Sequence, residues 1–127
     1  YTQSEGYQPF SIEFDAQGNV LITEENGLAI LPPALVGPPA NSGAVSTYRL
    51  DPLLGRLEPI SSSVPSQQTA PCWSVYTDSC LFVANVVSGT IGSYQVNNDG
   101  SVTLAEEVAG TVDISMDLFV LGDYLYA

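Results

Sequence analysis

An all-β fold assembled from repeated four-stranded units is what this chain predicts, and three observations predict it. Gly43-Ala44-Val45-Ser46-Thr47-Tyr48-Arg49-Leu50 and Gly89-Thr90-Ile91-Gly92-Ser93-Tyr94-Gln95-Val96 align column by column, 46 positions apart (89 − 43). Each is followed by a turn and a second short strand, Gly55-Arg56-Leu57 answering Gly100-Ser101-Val102. The remaining segments are short, alternating and separated by turn residues. A repeat of about 40–50 residues built from short alternating strands is the signature of a β-propeller blade.

Taken in order, Tyr1 to Gln8 is polar and reads as a connection from a preceding blade. Pro9 to Asp15 alternates, placing Phe10, Ile12 and Phe14 on one face of a half-buried strand. Ala16-Gln17-Gly18-Asn19 is a hairpin turn, with Gly18 free to take a positive φ. Val20 to Glu24 returns. The stretch from Glu25 to Ser42 is apolar yet carries four prolines (32, 33, 38 and 39), which cannot continue a helix or donate within a ladder, so it reads as a long loop. Gly43–Asp51 and Leu57–Ser61 form the next hairpin, and Ser62 to Ala70 is a polar connection.

A second cycle opens at Pro71. Pro71–Thr77 matches Pro9–Asp15, the stretch from Leu81 or Phe82 to Asn85 matches Leu21–Glu24, and Val102–Val108 closes the cycle. The registers localise the extra length of the first cycle to the connection between its second and third strands. A third cycle begins near Val112, with Tyr124-Leu125-Tyr126-Ala127 as its second strand. The division is a connection over 1–8, a blade over 9–64 with its 25–42 loop, a second blade over 65–108, and half of a third over 109–127. A closed propeller needs at least about four blades. The expected partners are therefore the remaining blades, in the same or another chain. The start at Tyr1 rather than Met reads as a processed or excised piece, from which a leader could have been lost.

Composition narrows the function classes. Fourteen acidic residues stand against two basic ones, with no His, for a net charge of −12. Such a surface repels nucleic acid and anionic membranes. No apolar run approaches the ~20 residues of a membrane span. Cys72 opens one strand and Cys80 follows the next turn, at opposite ends of a hairpin, so two separate thiols are expected rather than a disulfide.

Pro9–Glu24, Gly43–Asp51, Ala70-Pro71-Cys72-Trp73, Gly89–Val96 and Asp123–Tyr126 together resemble the lactonase family of seven-bladed propellers, which includes propeller-type phosphogluconolactonases and carboxymuconate cyclases. The resemblance implies a lactone hydrolase or cycloisomerase, a small-molecule lactone as ligand, no cofactor, and a site at the central channel mouth. The family's His-containing channel set has no counterpart here, since the chain has no His. The other reading is a non-catalytic propeller, secreted or surface-bound, that binds or scaffolds a partner.

By propeller logic, Gln8-Pro9, residues 69–72 and the 25–42 loop share one face, with Glu24 and Asn85 at its rim. Glu24 is the candidate general base, weighed against a carboxylate that caps backbone. Gln8, Asn85, Cys72 and Trp73 are the candidates for contacting a ligand at the mouth, against structural thiol and packing roles for the last two. Glu24-Glu25-Asn26 could ligate a hard cation through its oxygens but lacks the spacing of a recognised calcium loop, and no metal site is expected. Leu28, Ile30, Leu31, Leu35 and Val36 form an apolar strip that reads as a lid or an interaction loop, against a loop packed on its own blade.

Overall fold

The computed structural model describes residues 3–26 and 38–127. The expected lid, Leu28, Ile30, Leu31, Leu35 and Val36, lies outside the described residues. The described residues form ten strands: β1 (Pro9–Phe14), β2 (Val20–Glu24), β3 (Ala44–Asp51), β4 (Arg56–Pro65), β5 (Pro71–Thr77), β6 (Cys80–Asn85), β7 (Thr90–Val96), β8 (Val102–Thr111), β9 (Phe119–Leu121) and β10 (Tyr124–Tyr126). They form two four-stranded antiparallel sheets, β1-β2-β3-β4 and β5-β6-β7-β8, and a β9–β10 hairpin. Among the described residues there is no helix. The protein is all-β, and its repeating unit is a four-stranded, blade-like meander.

Turn chemistry explains the hairpins. Between β1 and β2 the buried Asp15 carboxylate accepts the Gln17 and Asn19 backbone N–H groups at 2.9 and 2.8 Å, while Gly18 takes φ +83°. Between β5 and β6 the two-residue turn is Asp78-Ser79, both at positive φ, the geometry that matches strand twist in tight hairpins. Asp51 supports the β3–β4 turn by accepting from Leu53 and Leu54 N–H at 2.8 and 3.1 Å.

Register carries this order into packing. Cross-strand partners Val20↔Tyr48 and Leu81↔Tyr94 put the two aligned tyrosines at the same place in their sheets. Leu21 and Val45 of the first sheet pack with Leu81, Val83, Tyr94, Val96 and Val102 of the second into the main core. Each such side chain contributes about 1.5–3 kcal/mol when fully buried. The opposite face of the second sheet packs Ala84 and Ile91 against Leu118, with Phe82 and Leu125 beside them, so the β9–β10 hairpin stacks on the second sheet as that sheet stacks on the first. β1 lies beside β5 through Ser11 Oγ–Ser74 Oγ at 2.6 Å, and β4 beside β8 through Val102 N–H donating to Ser61 Oγ at 3.1 Å.

Several expectations need correction. β1 is not half-buried by its apolar row: Ile12 and Phe14 are 60% and 57% exposed, because no described element covers that face. Phe10, displaced by a register shift between Pro9 and Ile12, meets Trp73 edge-on at a ring separation of 5.0 Å. β4 runs on to Pro65 rather than ending at Ser61, and β8 to Thr111 rather than Val108. These strands carry Ser61-Ser62-Ser63 and Glu106-Glu107, polar runs that hide strand periodicity although the backbone pairing persists.

Residues 3–8 are also more than a connection. Glu25 N–H donates to Gln8 O at 3.2 Å, as Val86 N–H donates to Ala70 O at 2.9 Å, and Gln8 and Ala70 share φ of 54° and 58°. This segment therefore repeats the 65–70 segment and straps across the first sheet.

Candidate functional site

The ends of β2 and β6, the starts of β1 and β5, and the segments joining them gather at one end of the two sheets. Gly43 N–H donates to Gln68 O at 2.9 Å, Asn41 N–H to Thr69 Oγ1 at 2.9 Å, and Thr69 N–H to Ser88 Oγ at 2.8 Å. Glu24, Gln8, Asn85, Cys72 and Trp73 all belong to this end, and none of them lines the groove that lies beside the β9–β10 hairpin.

Glu24 is fully buried. Its Oε1 accepts from Ser4 Oγ at 2.6 Å and from Gly6 N–H at 2.8 Å. Its Oε2 has no hydrogen-bond partner among the described residues and lies where a Cβ on residue 6 would sit, so any larger residue there would have to push the carboxylate aside. Tyr48 Oη accepts from Glu5 N–H at 2.7 Å and lies 3.2 Å from Ser4 Oγ. Ser4 gives its proton to Glu24, so the Tyr48 hydroxyl is the donor toward Ser4. Asn26 completes the clasp: its Oδ1 accepts from Tyr7 N–H at 2.8 Å, and its Nδ2 donates to Ser42 O at 3.0 Å. Buried acceptors of this kind are stable when N–H and O–H donors meet them.

Asn85 holds the equivalent position in the second sheet and is also buried. Its Nδ2 donates to Thr90 Oγ1 at 3.3 Å, and Thr90 donates onward to Gln68 Oε1 at 3.0 Å. Its Oδ1 has no partner among the described residues.

Cys72 is buried, and its thiol donates to Glu25 Oε1 at 3.1 Å. Burial first, then the Glu25 hydrogen bond and charge, push the thiol up to about 12, away from the thiolate a nucleophile requires. Cys80 is a separate free thiol, also pushed up by burial and by the Glu106 charge. Glu13, at the seam with β5, is raised by burial, opposed by a hydrogen bond from the Tyr76 backbone. Trp73 is half-buried against Phe10, and Gln8 is exposed with its carbonyl engaged by Glu25.

Between the sheets runs a line of hydroxyls. Ser74 Oγ and Ser11 Oγ are 2.6 Å apart, Ser11 Oγ and Thr23 Oγ1 2.9 Å, and Thr23 donates to Cys72 O at 3.0 Å. This line satisfies polar groups at the seam. Open space lies elsewhere: a groove of about 330 Å3 between the β5–β6 turn and the β9–β10 hairpin, lined by Asp78, Cys80, Phe82, Asp123 and Tyr124. Among the described residues no three His, Cys, Asp or Glu side chains are placed to hold a metal ion.

Ser4 and Gly6 were not legible as site residues, and Glu25 and Asn26 were read against a cation-ligating role rather than as partners of the Cys72 thiol and of the strap. A signal was present: Ser4 and Pro9 stand to each other as Ser66 and Pro71 do, in the register that relates the first two cycles. Comparison with known proteins finds no matching family model, no matching curated sequence and no matching solved structure.

Proposed function

We propose that this chain is a segment of a lactonase-like β-propeller that frames the channel end without supplying catalytic groups. One observation carries this reading. Glu24, the carboxylate best placed in sequence to act as a base, is sealed under Ser4 and Gly6 with Oε1 already occupied by two donors. A general base must reach the proton it abstracts, within about 3 Å or through one water, and a carboxylate under this strap cannot. Cys72 keeps its proton, and the chain has no His to take it. Any lactone chemistry of an assembled propeller therefore draws on side chains of its other blades.

The same observation supports the second reading, a non-catalytic binding or scaffold module, secreted or surface-bound. The exposed apolar rows on the first sheet and on the β9–β10 hairpin favour a role in contact rather than chemistry.

Lactone hydrolysis by the purified chain, followed by proton release over a panel of γ- and δ-lactones, tests the proposal. The expected result is no turnover above background for the chain or for Glu24→Gln. Turnover that Glu24→Gln abolishes while the variant still folds would overturn it.

A further inference from the structure

We infer that the tip of the β3–β4 hairpin is a lipid-docking site, at which Leu53 and Leu54 enter a zwitterionic bilayer while Arg49 and Arg56 meet its phosphates. The inference goes beyond the propeller and lactone readings and rests on neither.

The fold does not call for apolar residues at this turn. The equivalent turn of the second sheet, between β7 and β8, is Asn97-Asn98-Asp99-Gly100. Both turns close on a glycine at positive φ, +61° at Gly55 and +86° at Gly100. Each glycine donates its N–H at 2.9 Å to a carbonyl at the start of its turn, that of Asp51 or of Asn97. Where the second sheet has Asn98 and Asp99, the first has Pro52, Leu53 and Leu54. Leu53 is 93% exposed, the most of any large apolar side chain among the described residues, and Leu54 is 66% exposed. These leucines add nothing to the core, so their apolar surface is free for a contact outside the chain.

The tip is also held still. The Asp51 carboxylate accepts the Leu53 and Leu54 N–H groups at 2.8 and 3.1 Å. The two side chains are thus presented by a fixed turn, and ordering them on contact costs little.

Charge and size select the occupant. The chain has two basic residues, and both flank this tip, Arg49 on β3 and Arg56 on β4, each exposed. Arg49 stands opposite Glu58 and near Asp99, and Arg56 stands opposite Asp51, whose carboxylate is engaged by the turn. The β3–β4 hairpin is therefore neutral as a whole, whereas each of the other four carries acidic residues alone. It is the one hairpin that can approach a phosphate without net repulsion of its own. Two leucines and a proline fall far short of the roughly 1,200–2,000 Å2 that a stable protein–protein interface buries. A bilayer asks for no complementary shape, since binding there grows with the apolar area inserted and with headgroup electrostatics. The net charge of −12 disfavours anionic lipid, so the phosphate is that of a zwitterionic headgroup such as phosphatidylcholine.

Co-sedimentation of the recombinant 127-residue chain with phosphatidylcholine vesicles tests this. The expected result is binding that falls about tenfold or more in a Leu53→Ser, Leu54→Ser double variant whose urea midpoint is unchanged. Binding should also weaken in Arg56→Gln and on adding phosphatidylserine to the vesicles, and persist in Phe14→Ser. No binding to phosphatidylcholine vesicles overturns the inference and leaves the non-catalytic reading as it stands. Binding that survives the double substitution, or disappears in Phe14→Ser, places the contact on another face and overturns it as well. A chain that ignores vesicles yet dimerises, and reverts to monomer in the double variant, makes the tip a protein contact, which likewise overturns it.

Discussion

Glu24 and Asn85 occupy the same place in two successive sheets, the last residue of the second strand, and each is buried with one oxygen left unpartnered. They differ in what their chemistry can offer. A carboxylate only accepts, so Glu24 is matched to donors, the Gly6 N–H and the Ser4 hydroxyl of the overlying strap. An amide also donates, so Asn85 turns to the Thr90 hydroxyl and through it to Gln68. The position is a latch in both sheets, and the side chain is chosen by what lies over it. A residue placed like a catalytic acid can thus be a fastening, and its partners decide which.

Four outcomes would break or sharpen this contrast. Glu24→Ala removes two charge-assisted hydrogen bonds and unroofs Tyr48, and should cost roughly 3 kcal/mol in urea unfolding. Gly6→Ala drives a methyl group into the same carboxylate, with an expected cost of roughly 2 kcal/mol and faster amide exchange over residues 4–8. Asn85→Ala loses a single long bond, for about 1 kcal/mol. If it matched Glu24→Ala, the two latches would not differ as argued. Phe14→Ser, in the exposed row of β1, should leave the stability of this chain within about 0.5 kcal/mol.

A smaller effect concerns pH. The Cys72 thiol is raised from 9.0 to about 12 in the folded chain. Below pH 9 both folded and unfolded thiols keep their protons and the contribution to stability is intact. As pH climbs from 9 toward 12 the unfolded thiol ionises first, and that contribution is lost. Unfolding midpoints followed across this window should fall less steeply for Cys72→Ser. Equal slopes would show that the thiol is not held in its neutral form by burial and Glu25.

Much of the fold was legible because sheet strands advertise themselves by alternation. β2, β5 and β7 are apolar on at least one face, and their limits were readable to within a residue. β4 and β8 were not, since an outermost strand pairs along one edge and leaves Ser62 or Glu107 free to be polar. Alternation in β1 revealed an apolar face but not whether anything covers it, which depends on a neighbour rather than on the strand. The site was legible as a location only. That Glu24 ends a strand can be read locally; that it is roofed depends on Ser4 and Gly6, brought to it by the return of β1 and β2.

The free edge of β10 has its own consequence in solution. Among the described residues it pairs with β9 alone, so in the 127-residue chain the other side of the strand presents backbone groups without a ladder partner beside exposed Tyr124 and Tyr126. Bare edges recruit one another by ladder formation. What opposes this is long-range repulsion between molecules of net charge −12, and electrolyte weakens it. The chain should therefore stay dispersed in dilute buffer and begin to associate edge to edge as ionic strength rises toward about 1 M, where the screening length shrinks to about 3 Å.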